Sequence, residues 1–271
     1  MTNEITTVSS LSKMLEKMAP EIQKAIPKHL NPDRMARLAL TAFSSNPGMA
    51  NCTTKSIISS LMTASQLGLE PGVNGQGWLI PYKTTCTFVP GWKGMVDMLN
   101  RSGNGIAYTG VIYSDQKYTF TDGCDRNLII HNETAMLDPS DITHAYAIGK
   151  IKGQDQPIID LWPIAKIKRH RDLHNKQGDR HYSYKYWEMY ARKIPLLQVL
   201  KYMPMSIELA NCIAIDNHNE SGSVGYIDHG VVYEGEQFED EFDADLSENQ
   251  KELMRKAMER EAGRKAANEN T

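Results

Sequence analysis

The residues with most capacity for chemistry are concentrated in one stretch. Between positions 163 and 201, ten cations (Lys166, Lys168, Arg169, Arg171, Lys176, Arg180, Lys185, Arg192, Lys193 and Lys201) face only three acids, Asp172, Asp179 and Glu188, a local charge of +7. Interleaved with them stand Tyr182, Tyr184, Tyr186, Trp187 and Tyr190. Lysine and arginine at this density neutralise phosphates, and aromatic rings stack on bases, so the pairing of the two points to a nucleic acid. The same composition also describes a solvated helical face whose aromatics sit in a core, and composition alone leaves both readings open. The remaining charge is divided unequally. Residues 1–230 carry +3 and residues 231–271 carry −6, which together give the chain's −3. The stretch EGEQFEDEFDADLSE, residues 234–248, holds eight acids and no base.

Several enzyme chemistries fail on their spacing. His170-Arg171-Asp172-Leu173 imitates the opening of a kinase catalytic loop, but Gln177 stands where Asn is required and no DFG follows. Gly72, Gly75 and Gly77 form GxxGxG, which has neither the order nor the preceding strand of a dinucleotide loop, and no GxxxxGK[ST] sequence exists for nucleotide hydrolysis. His170 and His174 lie at i, i+4 without the glutamate of HExxH and beside three cations, so no metal is expected. Cys52, Cys86, Cys124 and Cys212 lie far apart and read as reduced thiols. No paired-carboxylate constellation suggests a nuclease. The expectation is a protein that is not an enzyme and needs no cofactor.

The elements that must position the basic stretch follow from local pattern. Of the 271 residues, 41% are hydrophobic and 23% charged, enough apolar content for a sizeable core. The longest uncharged run, residues 38–54, is broken by Asn46, Pro47, Gly48 and Asn51 and cannot span a bilayer; the N-terminus lacks a signal pattern, so a cytoplasmic protein with no membrane contact is expected. Apolar spacing predicts a helix over residues 11–26, capped by Ser9 or Ser10 and broken or kinked at Pro20. Asn31-Pro32 opens a second, Thr53 or Thr54 caps a third, and Gly68 closes it. Residues 78–82 and 85–90 read as a hairpin around Lys83-Thr84, followed by a helix from Gly91 to Arg101 with Gly103 as its stop. Strands are predicted at 106–113, 117–121, 127–131, 143–151 and 157–162. Helices follow from Pro163 to the Gly178 region, over 184–202 with a disturbance at Pro195, and over 206–215. Helices, then strands, then helices indicate α+β with an antiparallel sheet.

Several segments together resemble the RecT branch of the RecT/Redβ phage single-strand annealing proteins. They are PKHLNPDRMARLALTAF (27–43), SQLGLEPG (65–72), PGWKGMVDMLNRSG (90–103), THAYAIGKIK (143–152) and WEMYARKIPLLQVLKYMPMSIELA (187–210), and the likeness spans roughly residues 20–215. It departs from its relatives in a shorter hairpin connection at residues 83–85. The resemblance implies an ATP-independent recombination protein that binds single-stranded DNA, pairs it with a complement and holds the duplex in a homo-oligomeric ring or helical filament. It also implies an antiparallel sheet packed on a long helix, flanked by N-terminal and C-terminal helices.

Within the matched segments, Lys93, Arg101, Arg192, Lys193 and Lys201 are expected to line the DNA groove, with Lys83, Lys166, Lys168, Arg169 and Arg171 as a second rank. Trp92 and Tyr82 are candidates for base stacking, and Trp187 is read as core. Residues 1–230 form the expected DNA-binding and annealing domain. Residues 231–271 form a disordered or separately folded tail, an acidic linker followed by a basic helix over 249–267. Through the tail the resemblance implies contact with a phage exonuclease and a host single-strand-binding protein. The alternative is a monomeric, sequence-tolerant module that binds single strands without annealing them.

Overall fold

Thr7 opens the first helix of the computed structural model, which describes residues 7–174, 182–221, 223–228 and 231–237. The Thr7 side chain accepts from the Ser10 amide while the Ser10 hydroxyl closes the reciprocal bond, a capping box that satisfies two orphan donors of α1 (Val8–Ala25). This helix buries Leu11, Leu15 and Ile22 and runs on through Pro20. The expected break is absent because Pro20 lies on the exposed face. In α2 (Pro32–Ser45) the Asn31 side chain accepts from the Arg34 amide, and Met35, Ala39 and Phe43 recur every fourth residue toward the core. Thr53 caps α3 (Thr54–Leu67), and Gly68 ends it at φ 69°, a left-handed conformation that glycine adopts without a Cβ clash.

Strands β1 (Gly77–Tyr82) and β2 (Thr85–Pro90) pair antiparallel from Tyr82↔Thr85 to Gly77↔Pro90. Lys83 turns the hairpin at φ 53°, supplying the positive φ that a two-residue hairpin turn requires. The hairpin is tied to α3 by Ser60 Oγ donating to the Cys86 carbonyl at 2.7 Å and the Cys86 amide donating to Ser56 Oγ at 2.9 Å. Helix α4 (Trp92–Ser102) ends at Gly103 and leads into β3 (Gly105–Tyr113).

After a small hairpin of β4 (Tyr118–Thr121) and β5 (Asn127–Ile130) come β6 (Ile142–Ile151) and β7 (Ile158–Pro163). The main sheet has the order β3-β6-β7, antiparallel throughout. Helices α5 (Ile164–His174), α6 (Tyr182–Lys185), α7 (Trp187–Leu200) and α8 (Ile207–Ser221) follow, then the paired strands β8 (Ser223–Asp228) and β9 (Val231–Gln237). The fold is therefore α+β with an antiparallel sheet, as the sequence pattern predicts, and that sheet packs on α7, as the resemblance implies. Helix α7 passes through Pro195 without interruption, and the expected long helix is divided instead at Tyr186, whose φ −120°, ψ 50° is not helical. Element β9 begins at Val231, just past the expected domain boundary. The break expected near Gly178 and the tail from residue 238 lie outside the described residues.

The sheet turns one face to α7. A Cβ on Gly149 would stand 2.5 Å from Met203 Sδ and 2.8 Å from Val199 Cγ1, so this close approach of strand and helix admits only glycine. The main core joins α1 to α4 with Ala107 and Ala147 of the sheet, with the last turns of α7 and with the first half of α8. A second, much smaller cluster, Val111, Ile142, Ala145, Ile167, Tyr190, Ala191 and Ile194, seats α5 and the first turns of α7 on the other end of the sheet.

Candidate nucleic-acid interface

Helix α5 is anchored by Ile167 alone among its fully buried side chains, which leaves most of its surface for cations. Those cations are laid on rings. Lys166 Nζ stands 3.4 Å from the centroid of Trp162, one turn earlier at the end of β7. The Arg171 guanidinium lies 4.1 Å from the Tyr184 ring and 5.4 Å from Trp187, and Lys168 Nζ lies 5.9 Å from Trp187. Lys185 Nζ is 5.2 Å from Tyr186. Each such contact contributes about 0.5–2 kcal/mol and holds a mobile side chain over a flat surface. Arg171 is also 2.9 Å from Asp172, whereas exposed Arg169 makes no hydrogen bond, ion pair or ring contact with the described residues. Trp187 is half-buried: it packs on the small cluster and presents its ring to Lys168 and Arg171, so it serves the core and the surface together.

Beside this surface, α5, α7 and α8 enclose a cleft of about 200 Å³ that brings Lys201, His170, His174, Gln198 and Glu220 together. Lys201 is exposed and donates to Gln198 Oε1 at 3.1 Å. The His170 ring contacts the Tyr190 hydroxyl at 3.2 Å, and burial lowers its pKa below the ordinary histidine value.

The first-rank candidates divide sharply. Lys193 does not line a groove. Its ammonium is buried between α7 and α8, 2.9 Å from Asp216 Oδ1 and 2.8 Å from Glu220 Oε1. Burial works against its charge, but Asp216, Tyr182 and Glu220 outweigh it and hold the pKa well above the usual lysine value. Burial pushes the Asp216 carboxyl up to about 6 despite Lys193, while at Glu220 the pull of Lys193 overcomes burial and lowers the pKa. A cation enclosed by two carboxylates is part of the packing, which corrects the sequence expectation.

Arg192 and Arg101 are also committed internally. Arg192 bonds Glu188 Oε1 at 2.8 and 2.5 Å and donates to the Thr109 carbonyl of β3 at 3.2 Å. Arg101 is 3.3 Å from Asp97, reaches the Gly68 carbonyl at 3.3 Å and contacts the His29 ring, tying α4 to the end of α3. Exposed Lys93 lies 5.7 Å from the Trp92 ring, which itself packs against the main core. Lys83 is exposed at the hairpin turn. Half-buried Tyr82 has its pKa raised by burial, with the Lys193 charge acting in the opposite sense. The structure thus assembles Lys166, Lys168, Arg169, Arg171 and Lys201 on one region, keeps Lys83 and Lys93 on the hairpin and α4, and places Lys193, Arg192 and Arg101 in structural contacts.

The sequence pattern does not single out Trp162, although it stands four residues before Lys166. A tryptophan at the end of a strand reads as core; only the helix that follows at once makes it a platform.

The family model described as RecT family matches residues 33–222. Protein RecT of Escherichia coli (strain K12) is 30% identical over 210 residues, covering 73% of this chain and 76% of that protein.

Proposed function

The chain belongs to the RecT family, and on that premise we propose that it binds single-stranded DNA and anneals it to a complementary strand without nucleotide hydrolysis. The observation that carries the reading is the row of cations on aromatic rings formed by Trp162, Lys166, Lys168, Arg171, Tyr184 and Trp187. Annealing requires a strand whose phosphates are neutralised while its base edges stay open to a partner. The exposed Lys166, Lys168 and Arg169 side chains of α5 do this without reading sequence, while Arg171, its side chain only 13% exposed, lies against the Tyr184 and Trp187 rings beside them. Lys201 extends the row into the cleft, and Lys93 and Lys83 supply phosphate contacts from α4 and the hairpin.

On this reading the protein acts by binding and not by catalysis, and copies of it hold the new duplex in a ring or filament. The tail beyond Gln237 recruits partner proteins, an exonuclease and a host single-strand-binding protein, through its acidic and basic segments. No helix among the described residues is long and apolar enough to cross a membrane.

The test is to add two complementary oligonucleotides in sequence to the protein, without ATP, and to follow pairing together with particle shape by electron microscopy. Faster pairing and rings or filaments support the proposal. Tight single-strand binding by monomers, with no acceleration of pairing, would establish a simple binding module instead.

A further inference from the structure

The connection between β5 and β6 displays the most exposed large apolar side chain among the described residues. Leu137 is 92% exposed, with Met136 beside it at 36%. The loop is nonetheless held at both ends. Asp115 accepts from the Thr134 hydroxyl at 2.7 Å and the Ala135 amide at 2.8 Å, the Asn132 side chain accepts from the Lys117 amide at 2.7 Å, and the Ser114 amide donates to the Asp141 carbonyl at 2.9 Å. Leu137 adds nothing to its own core, and a loop already fixed in this way loses little entropy when another molecule covers it.

Charge decides what kind of surface receives the loop. Residues 111–141 hold six acids against Lys117 and Arg126, a net −4 within a body whose total is +3. Arg126 is taken by Asp122 at 2.8 Å, so Glu133, Asp138 and Asp141, which flank Leu137, have no ion-pair partner among the described residues. Asp138 stays ionised because the Ser140 amide, at 2.8 Å, lowers its pKa. On α5 the condition is reversed. Lys166, Lys168 and Arg169 are exposed, the two lysines lie on the Trp162 and Trp187 rings, and none of the three has a carboxylate partner. Exposed Leu173 and Tyr184 supply apolar surface beside them.

The acidic loop and the cation row border one another within one chain. Tyr113, at the end of β3 from which the loop departs, packs on the small cluster with Trp187. Burial and the charge of Glu188 raise its pKa, and the charges of Asp138 and Asp141 reach the same phenol. The bonds to Asp115 keep the loop from folding over onto its own α5. A patch that is acidic and apolar on one half and cationic and aromatic on the other is complementary to itself about a two-fold axis.

We propose that, without DNA, two copies of the chain pair about such an axis, the Met136–Leu137 loop of each laid on the α5 cation row of the other. Glu133, Asp138 and Asp141 then stand opposite the partner's Lys166, Lys168 and Arg169. Such a contact uses both halves of the patch and closes at two copies, unlike the ring or filament that holds a duplex. The cations it covers are those assigned to phosphates, so a single strand and the partner's loop compete for one surface. The competition rests on the proposed role of the row in DNA binding; the pairing does not.

The experiment measures the mass of the full chain by sedimentation equilibrium, without DNA, over a range of protein and salt concentrations. A monomer–dimer equilibrium that moves toward monomer as salt rises is expected, because screening weakens the facing charges. Leu137→Ala should weaken pairing about tenfold or more, since the axis counts each contact twice, and should leave thermal melting unchanged. Glu133→Lys and Arg169→Glu should each weaken pairing, and the two combined should restore part of it. A wild-type chain that stays monomeric overturns the proposal, as does a dimer or larger assembly that Leu137→Ala and Glu133→Lys leave untouched. An oligothymidylate too short to span two copies separates this inference from the DNA reading. Dissociation of the wild-type dimer, with tighter strand binding by Leu137→Ala, supports both; a dimer that binds the strand and stays paired keeps the interface and refutes the role of the α5 row in DNA binding.

Discussion

Replacing Lys193 by methionine should unfold the protein more readily and not simply weaken DNA binding. The substitution keeps the apolar stem and deletes the ammonium that stands 2.9 Å from Asp216 and 2.8 Å from Glu220. Removing one partner of a buried ion pair costs about 3–5 kcal/mol, because the remaining charge is neither solvated nor matched. Against a total stability of about 5–15 kcal/mol, that loss is large. The effect should depend on pH. The Asp216 carboxyl, pushed up to about 6 by burial even with Lys193 present, will take up a proton still more readily without it. At pH 5 the variant therefore carries less unmatched buried negative charge than at pH 8. Urea denaturation at both values should show the larger deficit at pH 8, and Asp216→Asn added to Lys193→Met should recover part of it. If Lys193→Met unfolds within about 1 kcal/mol of the wild type at both pH values while losing DNA affinity, the burial argument is refuted and Lys193 belongs to the groove.

Three further outcomes follow from the same geometry. Arg169→Ala should leave thermal melting unchanged and Lys168→Ala, which gives up its contact with the Trp187 ring, should lower it slightly, while each lowers the salt dependence of single-strand binding by about 0.7 in the log–log slope, read by titration at several salt concentrations. Arg101→Ala should cost about 0.5–1.5 kcal/mol in denaturant unfolding, since the Gly68 carbonyl loses one donor at 3.3 Å and keeps the His29 ring at 3.3 Å, with the affinity of the folded fraction for DNA retained. In the wild-type chain the raised pKa of Asp216 gives a contribution that is complete below the unfolded value of 3.8 and is lost as pH rises through about 6; Asp216→Asn should flatten that limb of the stability profile.

Local chemistry was the most legible part of the sequence. The Asn31-Pro32 start, the Gly68 and Gly103 stops and the paired strands around Lys83-Thr84 depend on neighbours a few residues away, and each stands where the pattern placed it. The two prolines misled because their effect depends on surroundings: Pro20 projects from an exposed face, and Pro195 sits where the sheet and main core hold α7 in place. The DNA-binding candidates were harder, since a cation's role is set by what lies opposite it. Asp216 and Glu220 stand 23 and 27 residues beyond Lys193, and no local rule brings them together. A clue was nonetheless present, because Lys193 falls one turn after Tyr190 and one turn before Leu197, on the apolar side of its helix. Arg192, its neighbour, reaches the sheet only because β3 passes beside α7.

The two clusters of buried side chains have unequal consequences in time. The large one ties helices from both ends of the described chain to the hairpin, whereas the small one holds α5 through Ile167 and little else. Segments with few buried contacts open at lower free energy than those in the main core. Backbone amides of α5 should therefore exchange with solvent deuterium well before those of α3, without unfolding of the whole. The cation-bearing helix is then carried on the more weakly held of the two clusters, which, under the proposed function, lets one surface follow a lone strand first and a stiffer, wider duplex afterwards.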